Sequence, residues 1–484
     1  MPSKNFCFDS CWRLSRKGWK PFLLGTSALL AACSAPPPHE RPALDVPAAY
    51  KQGVQGSAVW QTAQPQDSVP DAWWTLFADP ALDALQERAA SGNQNVALAV
   101  ARLRAASAAV DSAGAAGLPS LGATAGSTRS RSGTTADDGT QARTRNSHAL
   151  GLNANWELDL WGRLSGSVDA ARASAQASAD DLAAMRLSVQ ATVAQTYFAL
   201  RAAEAQAQLL GDTLAAYERS WELTRNRQRA GVASAADVAQ AEAQYKSTQA
   251  QLLEAQASRA QLEHALAALT GQAPAAFSLP ATAELPAPPA VPAQLPSRLL
   301  ERRPDIAAAE RRVAAANAQI GVAQAAFFPA VTLSGAAGYR GTELSNLLNA
   351  PNLFWSVGPA LAVSLLDGGA RGAAVESARA THDQAVASYR QTVLTALQEV
   401  EDNLAAATAL EREQQLQAEA VAAAQRALDV VGNQYRAGTV GYLNVLSAQT
   451  TVLAARRDLI DVRNRRLGAV NALLKNVAGR WGGA

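Results

Sequence analysis

Two hydrophobic periods alternate along this chain. Long Ala/Gln/Glu/Arg-rich stretches without internal proline, at about 80–116, 165–230, 234–270, 304–326, 371–436 and 441–478, carry the composition of good helix formers. The stretch 165–230 would extend roughly 100 Å at 1.5 Å rise per residue, too long for a globular core and suited to side-by-side coiled-coil packing. Within 234–270, Tyr245, Thr248, Leu252, Ala255, Arg259, Leu262, Leu266 and Leu269 follow the 3–4 spacing of a left-handed seam. Val452, Leu459, Arg466 and Leu473 form the matching seam near the C-terminus. Arg259 and Arg466 interrupt both seams at the same step, and solvation of the two guanidinium groups is the expectation over pairing with an acidic neighbour.

Between these stretches the period changes to two, the mark of a strand with unlike faces. Leu150, Leu152, Ala154, Trp156, Leu158 and Leu160 share one face, and Gly151, Asn153, Asn155, Glu157 and Asp159 the other. Trp355 to Leu365 repeats the pattern, and Leu121 to Thr128 and Val331 to Tyr339 give weaker versions. Strands of about 9–11 residues match a tilted bilayer crossing, where an open edge would leave backbone groups unpaired. Four strands cannot close alone, since single-chain barrels begin at about eight, so several copies must pool their strands. Twelve strands from a trimer is the preferred solution. Pro359 removes one ladder donor and suggests an edge or a bulge.

The chain is also a duplication. Asn226-Arg-Gln-Arg229-Ala-Gly231-Val, continuing into Asp237-Val-Ala-Gln-Ala, aligns with Asn433-Gln-Tyr-Arg436-Ala-Gly438-Thr and Asn444-Val-Leu-Ser-Ala at an offset of 207. Val96, Arg102, Val110 and Pro119 match Ile306, Arg312, Ile320 and Pro329 at an offset of 210. The expected organisation is a first repeat at 71–271, with a strand pair at about 119–160, and a second at 298–484, with a strand pair at about 329–366. A proline-rich linker at 272–297 joins them.

The N-terminus places this architecture. Lys4, Arg13, Arg16, Lys17 and Lys20 precede the apolar stretch Phe22 to Ala32, which is too short to span a bilayer and reads as an export signal over 1–32. Leu30-Ala31-Ala32-Cys33 resembles a bacterial lipobox, making Cys33 the expected lipidation site, and Ser34 resembles the sorting residue of outer-membrane lipoproteins. Residues 33–70 would then form an extended, lipid-anchored tether. Without the signal, 38 basic residues face 40 acidic ones, and this balance does not suggest nucleic acid as a partner. The mature chain would keep one cysteine and form no internal disulfide. Apart from His39 in the tether, only His148, His264 and His382 occur, with no metal-ligand spacing, nucleotide loop or nucleophile motif. No enzymatic activity, catalytic residue, metal or cofactor beyond the covalent lipid on Cys33 is expected.

Trp73-Trp74-Thr-Leu-Phe77-Ala-Asp79-Pro80, Arg302-Arg303-Pro304-Asp305-Ile306 with Ala309-Glu310, the two glycine tips and Asp367-Gly368-Gly369 are the residues by which the chain resembles the TolC superfamily. Within it, the lipidated OprM/NodT-like branch is the match, over essentially the whole mature chain. The resemblance implies an α+β membrane protein, a homotrimer with a 12-stranded outer-membrane β-barrel continued by a 12-helix periplasmic α-barrel tunnel. It also implies opening by a periplasmic adaptor protein and an inner-membrane pump. Arg229, Gly231, Val232, Arg436, Gly438 and Thr439 become candidate adaptor contacts, with glycine suited to the tip because it tolerates positive φ.

The family's periplasmic constriction maps to Tyr435, Val440, Asn444 and Ser447, with Asp237 after the first tip. Tyr435 and Asp237 keep the types for a phenol-to-carboxylate bond across helices, whereas Val440 cannot make an ionic link and Asn444 and Ser447 carry no charge. Leu443 is the candidate for an apolar collar. The resulting expectation is an outer-membrane channel for small molecules such as drugs. The alternatives are a duct for type I protein secretion and a non-conducting coiled-coil lipoprotein tether.

Overall fold

A computed structural model describes residues 40–43, 60–62, 72–131, 143–293 and 303–477. The expected signal, Cys33, most of the tether, Arg302 and the last residues of the linker lie outside the described residues. The chain divides into two units. One holds Ser112–Ala170 and Ala316–Thr381, and the other holds Glu40–Asp111, Ala171–Ala315 and the chain from His382.

The first unit is built on one antiparallel sheet. Strands β2 (Ser120–Arg131), β3 (Thr144–Leu158), β5 (Ala330–Gly341) and β6 (Leu353–Ala362) pair in the order β2-β3-β5-β6, so each repeat contributes one hairpin. Two short strands of the other unit, β1 (Trp60–Thr62) and β4 (Val291–Ala293), pair in parallel. In the large sheet the register stacks like positions in rows. Leu121–Ala154–Gly335–Val357, Ala123–Leu152–Ala337–Trp355 and Ala125–Leu150–Tyr339–Leu353 are three of them, continued by Trp156–Leu333–Pro359 and Leu158–Val331–Leu361. Every member is apolar or the amphipathic Tyr339, yet Leu121 is 73% exposed, Trp355 74% and Leu361 68%. Glu157, Asn155, Asn153, Thr124 and Ser356 occupy the opposite face.

Gly338 leaves no room for a side chain, since a Cβ there would run into the backbone of Leu150 and Gly151 on β3. Pro359 lies on β6, an outer strand of the sheet, which is where a missing donor is tolerated. The strand reading to Leu160 and Leu365 is too long at its C-terminal ends. Asp159 leaves the ladder because its carboxylate accepts the backbone N–H groups of Leu164 (3.0 Å) and Ser165 (2.7 Å), starting the next helix. Asp367 acts likewise, accepting from the Gly369 and Arg371 N–H groups and pairing with the Arg371 side chain.

Helices make up most of the other unit. In chain order they are α1 (Pro80–Gly92), α2 (Gln94–Ala115), α3 (Arg163–Arg229), α4 (Ala235–Leu269), α5 (Pro304–Ala325), α6 (Ala370–Arg436) and α7 (Tyr442–Val477). Both α3 and α6 run unbroken for 67 residues. The Trp-Trp motif forms a 3-10 turn whose Trp73 and Phe77 are buried, with Phe77 4.7 Å from Phe198 between ring centroids. Asp79 then caps α1, accepts the Tyr197 hydroxyl at 2.6 Å and precedes Pro80, the helix's first residue. At the start of the second repeat, buried Arg303 is held by Asp305, Glu399 and Asn476.

The two seam arginines are not simply solvated, which corrects the sequence expectation. Arg259 binds Glu204 and Glu263, both at 3.0 Å, and Arg466 binds Glu411 at 3.0 Å. Glu204 with Arg259 and Glu411 with Arg466 are the same pair at the repeat offset of 207. Glu204, which faces Arg259, is buried and Glu411, which faces Arg466, is partly buried, so pairing is preferable to leaving either charge alone. In the first repeat the cluster also ties down the linker, with Arg201 donating to the Pro280 carbonyl, Arg259 to that of Leu279, and the Thr282 N–H to Glu204. Among the described residues no helix is long and apolar enough to cross a membrane.

Candidate functional site: the paired helical tips

Each long helix ends in the same turn. Gly231 has φ +75° and Gly438 φ +80°, the left-handed region where a Cβ is strained. The Val232 N–H donates to the Arg227 carbonyl (2.8 Å) and the Gly231 N–H to Gln228 (2.9 Å). Thr439 donates to Gln434 and Gly438 to Tyr435, both at 3.0 Å. These 6→1 and 5→2 bonds are a Schellman motif, made twice. Arg229 and Arg436 are exposed and each reaches back to the asparagine three residues earlier, Asn226 and Asn433. Val232 is 66% exposed, with Thr439 exposed in the equivalent place.

Beyond the turns the repeats part. Ser234 caps α4 in a capping box, with its hydroxyl oxygen accepting the Asp237 N–H at 3.1 Å while the Asp237 carboxylate accepts the Ser234 N–H and hydroxyl at 3.0 and 2.8 Å. At the second tip Gly441 and Asn444 occupy those places, and Gly441 has no side chain to cap with. Tyr442 follows and is buried.

The expected Tyr435–Asp237 bond is not made within the chain, where the Asp237 carboxylate accepts from Ser234 at its own helix N-terminus and the Tyr435 hydroxyl lies against Thr224. Tyr435 is instead enclosed by other groups. The Arg227 guanidinium lies 4.6 Å from its ring centroid and donates to its backbone carbonyl at 3.0 Å. Its hydroxyl lies 3.5 Å from the buried Thr224 hydroxyl, and its ring packs edge-on to Tyr442 at 5.8 Å. Ala241 and Val445 complete the buried cluster, with Trp221, Val440 and Leu446 packed around it. Trp221 stacks on Tyr245 at 5.5 Å. Burial raises the Tyr442 phenol above its ordinary range, against the lowering effect of the Ser220 hydroxyl bonded to it. Tyr217, one turn before Trp221, is pushed up to about 12 by burial.

Thus Tyr435 and Val440 come together with residues the sequence reading did not select, namely Arg227, Thr224, Trp221 and Tyr442. Their signal was the helical phase of Tyr217, Trp221 and Thr224, spaced four and three residues apart on one stripe of α3. Leu443 (61% exposed), Asn444 and Ser447 lie on the opposite, exposed side of α7, and Asp237 faces its own cap. Val440 contributes packing.

The duplication is seen again in comparison with known proteins. The family described as outer membrane efflux protein matches twice, over residues 85–272 and 295–479, once per repeat. The pyoverdine export outer membrane protein OpmQ of Pseudomonas aeruginosa is 33% identical over 473 residues, covering 95% of this chain and 96% of the relative. The cation efflux system protein CusC of Escherichia coli is 30% identical, covering 93% and 96%. The solved structure of the outer-membrane channel OprN superposes with a TM-score of 0.85 at 31% identity, covering 93% of this chain and all of that one. With both repeats matched and near-complete coverage at this identity, the chain belongs to the outer membrane efflux protein family.

Proposed function

We propose that three copies of this outer-membrane efflux protein join their sheets edge to edge into a closed 12-stranded barrel, continued into the periplasm by a tunnel of twelve helices. The observation that carries this reading is the four-stranded sheet, whose outer strands β2 and β6 have one partner each and whose apolar face is exposed. Such edges are untenable in hydrocarbon unless other copies pair with them. Like the relatives named for pyoverdine export and cation efflux, the channel serves as an exit for small molecules, the compound being chosen by the inner-membrane pump. A periplasmic adaptor engages the tips at Arg229, Gly231, Val232, Arg436, Gly438 and Thr439. Cys33 carries the lipid anchor, and the chain itself performs no chemistry.

The same reading makes the tip cluster the gate. Arg227, on the first helix pair, grips the ring and backbone of Tyr435 on the second, while Leu443, Asn444 and Ser447 face the mouth. Reconstitution of the full-length protein in planar bilayers tests the function. Stepwise conductance from a heat-resistant trimer on unboiled gels is the expected result, and a monomer that passes no ions would leave the non-conducting tether as the better reading. Cys33→Ser is expected to lose lipid labelling in cells, read by mass spectrometry of the mature N-terminus.

A further inference from the structure

The exposed apolar face of the sheet carries almost no charge. Over all described positions of that face on β2, β3, β5 and β6 there is no Asp, Glu or Lys, and only Arg129 and Arg131 are charged. Both are exposed, and neither forms an ion pair with a described residue. The opposite face differs, with Glu157, Arg145 and Arg340 on it.

Their place along the strands is equally particular. The five apolar rows, from Leu158–Val331–Leu361 to Ala125–Leu150–Tyr339–Leu353, cover nine residues of β3, Leu150 to Leu158. At about 3.4 Å per step this is roughly 27 Å along the strand, and a tilt of about 40° leaves a rise of roughly 21 Å, most of the roughly 25 Å of an outer-membrane apolar band. Tyr339 sits in the last row, where an interfacial aromatic belongs. Beyond it come Ser127–His148–Gly341, then Arg129 beside Asn146, then Arg131 beside Thr144. After tilt the two arginines stand about 10–15 Å past the hydrocarbon edge, and a flexible arginine can reach several ångströms back toward it. They lie at the hairpin end of the sheet, away from the ends that continue into α3 and α6, and the second hairpin has no counterpart because β5 ends at Gly341.

We propose that Arg129 and Arg131 form a phosphate-binding rim, one per protomer, for the phosphorylated glycolipid of the outer leaflet. Resting on the barrel reading above, the proposal gives that reading a lipid partner at a defined height. The guanidinium fork matches phosphate oxygens two at a time, and the neighbouring Asn146 and Thr144 add uncharged polar groups suited to a headgroup. The apolar rows directly below accept the acyl chains of the same lipid, so chain and headgroup contacts are in register on one face.

The test uses full-length purified trimer in mild detergent, titrated with bisphosphorylated lipid A or with lipid A stripped of both phosphates, and bound lipid counted by native mass spectrometry. The wild type is expected to prefer the phosphorylated form by about tenfold, and Arg129→Ser/Arg131→Ser to lose that preference. The double lysine variant should retain part of it, and 10 mM inorganic phosphate should not compete. A serine variant with undiminished preference, or a wild type binding both forms equally, overturns the proposal. Trimer mobility and conductance are recorded on each sample, so loss of the barrel is distinguished from loss of the rim. Should the serine variant not assemble, the wild type alone decides. Its preference must fall steeply in 0.5 M salt if arginine–phosphate contacts carry it, and a salt-independent preference overturns the rim.

Discussion

The two tips share a backbone and differ in everything that follows it. Both turns are Schellman motifs with glycine at positive φ and an exposed arginine tied to an asparagine three residues back. After the first turn Ser234 and Asp237 cap a helix, whereas after the second Gly441 and Asn444 leave that role empty and Tyr442 is buried against Tyr435. Duplication therefore preserved what the chain needs in order to reverse direction and released the positions that decide how the helix pairs hold each other. A carboxylate that could have bridged the pairs became a local cap, and an arginine from the same helix pair took the bridge.

The largest effects should come from what the tips share. Gly231→Asp and Gly438→Asp place a side chain at φ +75° and +80°, a strain of roughly 1–2 kcal/mol localised at the turn. Each is expected to abolish export, measured as drug tolerance falling to that of a strain without the protein, while trimers persist on unboiled gels. Normal export from either variant would show that tip geometry is not what the partner reads.

The next effects should divide the tips. Arg227→Ala removes a ring contact and a helix-end hydrogen bond from Tyr435, together worth about 1–3 kcal/mol. It is expected to raise open probability in planar bilayers about tenfold. At the equivalent place in the second repeat, Gln434→Ala should change it little, and equal effects at both would remove the distinction drawn here. A smaller, local change is expected from Asp237→Ala, where loss of the cap costs about 1 kcal/mol. Hydrogen exchange should quicken in the first turn of α4, whereas Asn444→Ala should leave the first turn of α7 unchanged. Smallest of all should be cation block. With Asn444 and Ser447 uncharged at the proposed mouth, added Mg²⁺ or a trivalent cobalt complex should reduce conductance only weakly, and Asn444→Asp should strengthen the block.

Several of these features were legible in the residues themselves. The 207-residue repeat, the helix lengths, the period-two strands and the glycine turns rest on local rules of spacing and backbone freedom, and these leave a trace in one dimension. The motif Trp73 to Pro80 was recognisable, although only packing shows that Trp73 is buried and that Asp79 serves both a helix start and the Tyr197 hydroxyl.

The partners of charged and polar side chains were decided by tertiary structure. Arg259 and Arg466 break their seams for a reason invisible along the chain, because Glu204 and Glu411 lie 55 residues away on neighbouring helices. Asp237 had two possible hydrogen-bonding roles, and it took the local one, accepting from the Ser234 N–H and hydroxyl three residues away. Arg225, Arg227 and Arg229 are chemically alike in sequence, and the pitch of α3 sets only Arg227 over Tyr435. Spacing determines which residues share a face. The object that meets that face is set by folding, since a side chain's partner depends on distances between segments that the order of residues does not contain.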